Sequence, residues 1–176
     1  MSQTSSHYQI VTTQGDITTF QADAMGNAAN ALLVGGGGVD GAIHSAAGPQ
    51  LLTELQKSYP QGVAPGEAVI TPAYGKLKVK WVIHAVGPIW RGGSDQESET
   101  LYSAYLKCYQ LAEMKQCRHL LMPAISCGIY GFPHPQAANI AIQASRSFLA
   151  TSLHLKKVEF VLLHYQLLEV FNDYLS

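Results

Sequence analysis

At 176 residues and 47% hydrophobic content, the chain has the size and apolar material of one core-forming domain. Its Lys and Arg (11) nearly balance Asp and Glu (12), which excludes the broad positive field that holds a phosphate polymer by counterion release; an anionic ligand is expected to be small and held by local geometry. The longest apolar stretches, such as 81–86 and 160–163, are too short to cross a membrane, and Cys108, Cys117 and Cys127 fall in no metal-like spacing, so a soluble, reduced, cytoplasmic protein is expected, with no nucleic-acid or membrane partner.

Residues 1–6, rich in Ser and Thr, read as a flexible tail, leaving 7–176 as a single domain. Apolar runs rich in β-branched residues predict strands over 8–12, 67–71, 81–86, 119–122 and 158–163. Helical periodicity lies between them. Over 42–59, interrupted near Gly48-Pro49, it places Ile43, Ala47, Leu51, Leu52 and Leu55 on one face, and similar patterns run over 99–115 and 136–149. Strands alternating with helices predict an α/β protein in three α/β/α layers, with a mixed, mostly parallel sheet between helices.

At the end of the first strand, Asp16 precedes Ile17 and Thr18. It suits a turn cap, and equally a carboxylate that accepts from the amino group of adenine. Further on, Asn27-Ala28-Ala29-Asn30 follows a strand-like stretch and leads to four successive glycines, Gly35, Gly36, Gly37 and Gly38, which open onto a helix beginning near Val39. Backbone free of side chains lets N–H groups approach a phosphate, and the helix dipole adds positive charge there. The run matches neither the phosphate loop of nucleoside triphosphatases nor the dinucleotide fingerprint. Asn30 and Asp40 flank it. Each suits a turn or cap, but a carboxylate beside a phosphate is costly unless it orients water or takes a proton. His44 shares a helix face with Asp40 and reads as packing or capping, and His84, inside a strand, as a hydrogen-bonded core residue.

A second loop, 123–133, lies at the carboxyl end of a buried strand, where ligands bind in open α/β sheets. Gly128 and Gly131 permit close backbone approach, Ser126 offers a hydroxyl, and Tyr130 and Phe132 offer flat walls for a sugar or base. Cys127 with His134 as base makes a thiol nucleophile conceivable, but no third orienting group stands out, and a small loop side chain is the plainer reading.

These pieces, in this order, resemble the macrodomain family, and within it the MacroD-type hydrolases. The matching segments are Gly15-Asp16-Ile17-Thr18, Asn27-Ala28-Ala29-Asn30, the 35–44 glycine-Asp-His segment, Ala46-Ala47-Gly48-Pro49, 82–90 and the 123–133 loop, which together span nearly the whole chain. The resemblance implies an ADP-ribose cleft. Asp16 and the backbone near Ile17 would meet adenine; Gly35 to Gly38 and Ser126, Cys127, Gly128, Ile129 and Tyr130 would surround the pyrophosphate, with Val39 and Phe132 also among the substrate-binding residues; Asn30 and Asp40 would stand at the distal ribose. It also implies hydrolysis of ADP-ribose esters on Asp or Glu side chains of mono-ADP-ribosylated proteins, or of O-acetyl-ADP-ribose, through water oriented by Asn30 and Asp40 with help from a substrate phosphate. No metal or other cofactor enters that scheme. Alternatives within the same cleft are removal of phosphate from ADP-ribose 1″-phosphate and binding without turnover. The chain departs from the pattern at Gly26 (usually aliphatic), Ser45 (often Arg), Cys127 (commonly Thr or Ser) and His164-Tyr165-Gln166-Leu167, where Tyr165 is a candidate to stack on adenine.

Overall fold

The computed structural model describes residues 7–176; the 1–6 tail expected from sequence lies outside the described residues. Six strands form one sheet in the order β1-β6-β5-β2-β4-β3: β1 Gln9–Gln14, β2 Ala24–Ala29, β3 Ala68–Pro72, β4 Trp81–Val86, β5 His119–Met122 and β6 Lys157–Leu162. All neighbours pair in parallel except β3, which closes one edge antiparallel to β4. The mixed, mostly parallel sheet expected from sequence is present. Parallel strands aim their carboxyl ends at one side, and the loops that leave β1, β2, β4, β5 and β6 converge there.

Five helices cover the two faces: α1 Gly38–Ala47, α2 Pro49–Ser58, α3 Glu97–Met114, α4 His134–Leu149 and α5 Tyr165–Leu175. Gly48 stands in the left-handed region (φ +80°) between α1 and α2, and Pro49 opens α2, so one apolar periodicity is split into two helices where the sequence predicted a break. Ile43, Ala47, Leu51 and Leu55 from these helices bury against Met25, Val82, Val86, Leu121 and Val161. Helices α3, α4 and α5 cover the other face, where Tyr105, Tyr109, Ala141, Ile142 and Phe171 pack on Ala24, Ile83, Leu120, Phe160 and Leu162. Full burial of each large aliphatic or aromatic side chain contributes about 1.5–3 kcal/mol.

Strand alternation decides what reaches each helix layer. On β4, Ile83 and Ala85 face α3 and α4 while Val82 and Val86 face α1 and α2; His84 therefore shares the α1 side, as does its register partner Asn27 on β2. A slip of one residue would send both to the opposite face.

Candidate functional site

A cleft of about 620 Å³ lies across the carboxyl ends of the strands. Gly15, Asp16 and Ile17 enter it from the end of β1, Asn30 and 36–40 from the connection after β2, Gly87 after β4, 123–130 after β5, and Leu163, His164 and Leu167 after β6. That is the crevice where open α/β sheets hold ligands.

Asp16 is exposed on the rim and does two things at once. Its Oδ1 accepts from the Thr18 N–H (3.0 Å) and hydroxyl (2.7 Å), capping the short 3-10 turn Ile17–Thr19, while the residue also lines the cleft. Ile17 beneath it is buried.

The glycine segment leaves β2 through a turn held by Asn30, whose Nδ2 donates to the Gly35 carbonyl (2.8 Å) and whose Oδ1 accepts from the Val34 N–H (3.3 Å). One amide hydrogen of Asn30 is left for a ligand. A Cβ on Gly36 would meet Asp40 Oδ2 at 3.4 Å and Asn30 Nδ2 at 3.6 Å, so the two polar groups named from sequence converge on one glycine. Gly37 caps α1 and, like Gly38, has nothing within 4 Å of the place a Cβ would occupy, although both line the cleft. Their small size keeps cleft space open rather than relieving a contact inside the protein. Gly41 is the reverse case: a Cβ there would lie 2.4 Å from the Gly36 carbonyl oxygen.

Asp40, in the first turn of α1, is buried, with 5% of its surface exposed, yet contributes to the cleft wall. Its Oδ1 accepts from Asn27 Nδ2 (2.8 Å) and lies 3.4 Å from His44 Nε2 one turn on. Asn27 Nδ2 also lies 3.1 Å from His84 Nδ1, and His84 Nε2 is 3.0 Å from Thr71 Oγ1. A buried polar chain thus runs from β3 through β4 and β2 to α1. Burial, and secondarily His44, push the His84 pKa down to about 3, against a smaller opposing pull from Asp40, so the imidazole is neutral at physiological pH.

The loop after β5 is tied down from several directions. Ser126 adopts φ +66°, and its hydroxyl donates to the Pro88 carbonyl at 2.7 Å. The Ile125 N–H donates to Tyr105 Oη (2.9 Å), the Phe132 N–H to the Ser126 carbonyl (3.0 Å), and the Trp90 N–H to the Tyr130 carbonyl (2.8 Å). Behind this loop, Glu97 accepts backbone N–H groups of Arg91, Gly93 and Asp95, which hold its carboxyl below the usual range.

The structure departs from the expected roles of several residues, in this loop and outside it. Phe132 is not a wall of the cleft: it is buried against Trp90, with ring centroids 4.7 Å apart, and belongs to the core on the α3–α4 side. Gly35 also stands back from the cleft lining, supplying the carbonyl that orients Asn30. The Ser126 hydroxyl spends its hydrogen on Pro88, so Ser126 faces a ligand as backbone and acceptor only. Tyr165 begins α5 exposed and off the lining, where Leu163, His164 and Leu167 stand instead. Burial pushes the Cys127 thiol up to about 12, and His134 Nε2 sits 2.9 Å from the Cys127 carbonyl oxygen, which gives the thiolate route no support. Ile129 and Tyr130 line the cleft with Cys127 and Gly128, and Val39 lines it beside Asp40. Gly87, Leu163, His164 and Leu167 also line the cleft; the sequence gives them no role of their own, although 82–90 and 164–167 stand among the segments set beside the family pattern. Among the described residues, no group of three or more His, Cys, Asp or Glu side chains could hold a metal ion, and no helix is long and apolar enough to cross a membrane.

A family model described as Macro domain matches residues 26–141, which hold most of β2, the glycine segment, Asp40 and the loop after β5. This chain belongs to the macrodomain family. Relatives include a Salmonella newport protein named O-acetyl-ADP-ribose deacetylase, 53% identical over 84% of this macrodomain and 83% of its own length. An Enterobacter protein of the same name is 51% identical over 87% and 86%. Among solved structures, the Oceanobacillus iheyensis macrodomain with ADP superposes with a TM-score of 0.90 at 35% identity, covering 99% of this chain and 94% of that one. The Trypanosoma brucei macrodomain in complex with ADP-ribose gives 0.87 at 33% identity, over 95% and 69%.

Proposed function

We propose that this macrodomain is a cytoplasmic hydrolase of ADP-ribose esters, releasing acetate from O-acetyl-ADP-ribose and ADP-ribose from ester-linked Asp or Glu side chains of proteins. The observation that carries the reading is the convergence of Asn30 and Asp40 on Gly36 at the wall of one cleft. Names carried by relatives near half identity support the ester chemistry, and the ligand in the Trypanosoma brucei structure supports an ADP-ribose cleft.

Backbone N–H groups of the 36–38 and 126–130 loops hold the two phosphates, Asp16 accepts from the adenine amine, and Asn30 bonds a hydroxyl of the distal ribose. Asp40, acceptor-only when ionised, orients a water toward the acyl carbon, and a substrate phosphate helps to take its proton. The water oxygen bonds to that carbon, the carbon–oxygen bond to ribose breaks, and the ribose hydroxyl leaves protonated. Fixed dipoles and positioning carry most of the rate enhancement.

Incubation of the protein with O-acetyl-ADP-ribose and, separately, with protein mono-ADP-ribosylated on glutamate tests the reading by release of free ADP-ribose. Release from both is expected. Binding of ADP-ribose without release from either would make the chain a reader of the nucleotide.

A further inference from the structure

Asn27 has one amide nitrogen and two acceptors to serve. Asp40 Oδ1 at 2.8 Å accepts one hydrogen, and His84 Nδ1 at 3.1 Å is placed to accept the other. An ionised carboxylate cannot donate, so Nδ2 and not Oδ1 must face Asp40. The same nitrogen then faces the imidazole, whose Nδ1 must carry a lone pair; its proton resides on Nε2 and is donated to Thr71 Oγ1 at 3.0 Å. Turning the amide over would set its oxygen against both an Asp40 oxygen and that lone pair. The orientation adopted leaves Asn27 Oδ1 fully buried with no hydrogen-bond partner, a desolvation cost with nothing to offset it locally. The amide is thus left unpaired on one side where it grips the Asp40 carboxylate at the cleft wall.

We propose that His84 is a positioning residue for Asp40: through Asn27, its unprotonated Nδ1 fixes the amide so that Asp40 Oδ1 is bound and Oδ2 stays turned toward Gly36 and the cleft. The proposal rests on the role given to Asp40 above. His84 touches no ligand. It acts two side chains away from the chemistry, from a strand whose register with β2 makes it the partner of Asn27, and Thr71 on the edge strand selects its tautomer. Without the lock, the Asn27 amide is free to shift, and Asp40 Oδ1 loses its shorter contact, keeping only His44 Nε2 at 3.4 Å.

Two substitutions separate positioning from simple core support. In His84→Asn the side-chain oxygen falls near the place of Nδ1 and keeps an acceptor for Asn27, while the bond to Thr71 is lost. His84→Gln reaches Thr71 but removes the acceptor at the Nδ1 position. Turnover of O-acetyl-ADP-ribose is measured for both, with ADP-ribose affinity by calorimetry and with Asp40→Ala alone and combined with His84→Gln. His84→Gln is expected to lower kcat roughly 10- to 100-fold with affinity unchanged, His84→Asn to recover most of that loss, and His84→Gln to add nothing in the Asp40→Ala background. The opposite order of the two variants, or independent losses in the double variant, would overturn the positioning role. If Asp40→Ala itself turns over normally, the hydrolase reading of Asp40 fails; if Asp40→Ala is slow while His84→Gln matches the unmodified protein, only the positioning role fails. Nitrogen-15 NMR of the intact protein supplies a readout independent of any variant's folding: His84 is expected as the neutral Nε2–H tautomer, and an Nδ1–H tautomer would overturn the proposal.

Discussion

Gly26 and Met122 occupy one space between neighbouring strands: a Cβ on Gly26 would lie 2.5 Å from Met122 Sδ and 3.2 Å from Pro123 Cδ. Both residues are buried on the side of the sheet covered by α3 and α4. The methionine fills the volume that a side chain on β2 would otherwise take, which accounts for the departure at this position. Gly26→Ala is therefore expected to lower stability by roughly 1–3 kcal/mol, as overpacking does. Shortening Met122 to Val in the same chain should return much of it. Denaturant unfolding of the four members of this cycle checks the coupling; equal losses with either residue at 122 would show that the two do not compete.

Two glycines, one behind the glycine segment and one in the cleft lining, are expected to respond differently. Gly41→Ala drives a Cβ into the Gly36 carbonyl oxygen, displacing the loop beside Asn30 and Asp40, and should lower both the melting temperature and the affinity for ADP-ribose. A Cβ on Gly128 would have no protein atom within 4 Å beyond its chain neighbours, and Gly128→Val projects from a residue that lines the cleft. Its melting temperature should stay near that of the unmodified protein while ADP-ribose affinity falls. Calorimetric unfolding and titration of both variants measure the contrast.

Asp16→Asn keeps an oxygen for the Thr18 cap and replaces the other carboxylate oxygen by a donor, which cannot accept from adenine. Because Asp16 is exposed, the expected loss of ADP-ribose affinity is about 1 kcal/mol, or roughly fivefold in Kd, at unchanged stability. Titration with ADP-ribose and thermal unfolding report the two quantities separately. Unchanged affinity would leave Asp16 with its capping role alone.

Much of this arrangement is legible in the sequence because its signals are local. The break at Gly48-Pro49, the apolar run of β4 and the pair Asn30 and Asp40 around a glycine run need no tertiary information to be noticed. Strand β2 is harder: Ala24–Ala29 reads AMGNAA, without a β-branched residue, because it is central, buried on both faces and crowded by Met122. Helix α5 escaped the periodicity reading, although Leu167, Leu168, Phe171 and Leu175 recur at helical spacing. Phe132 was misplaced for a different reason. An aromatic ring between a loop glycine and a proline has the same composition whether it faces a ligand or turns back against Trp90, where the structure places it. The link from Asp40 through Asn27 to His84 and Thr71 joins pairs 13, 57 and 13 positions apart through strand pairing and the packing of α1 on the sheet, which no local pattern encodes.

Stability should also carry the signature of His84. Its folded pKa is depressed to about 3 from 6.5, so between those values the unfolded chain binds a proton that the folded chain refuses. The sign follows directly: the contribution is intact above about pH 6.5 and is lost as pH falls toward 3. From pH 7 to pH 5 this one group is expected to remove roughly 2 kcal/mol. Urea unfolding at the two pH values, in the unmodified protein and in His84→Gln, isolates that share; an identical pH dependence in both would contradict it.

In the proposed reaction Asp40 serves the chemistry while backbone groups of the glycine loops supply the affinity. The rate of acetate release from O-acetyl-ADP-ribose by Asp40→Ala, with ADP-ribose binding measured on the same preparation, separates the two. The kcat is expected to fall about a hundredfold or more, as for loss of a group that orients or deprotonates water, while the Kd for ADP-ribose stays the same or tightens slightly as a carboxylate is withdrawn from anionic phosphates. Turnover at the unmodified rate, or a loss of activity matched by an equal loss of ADP-ribose binding, would contradict this division of roles.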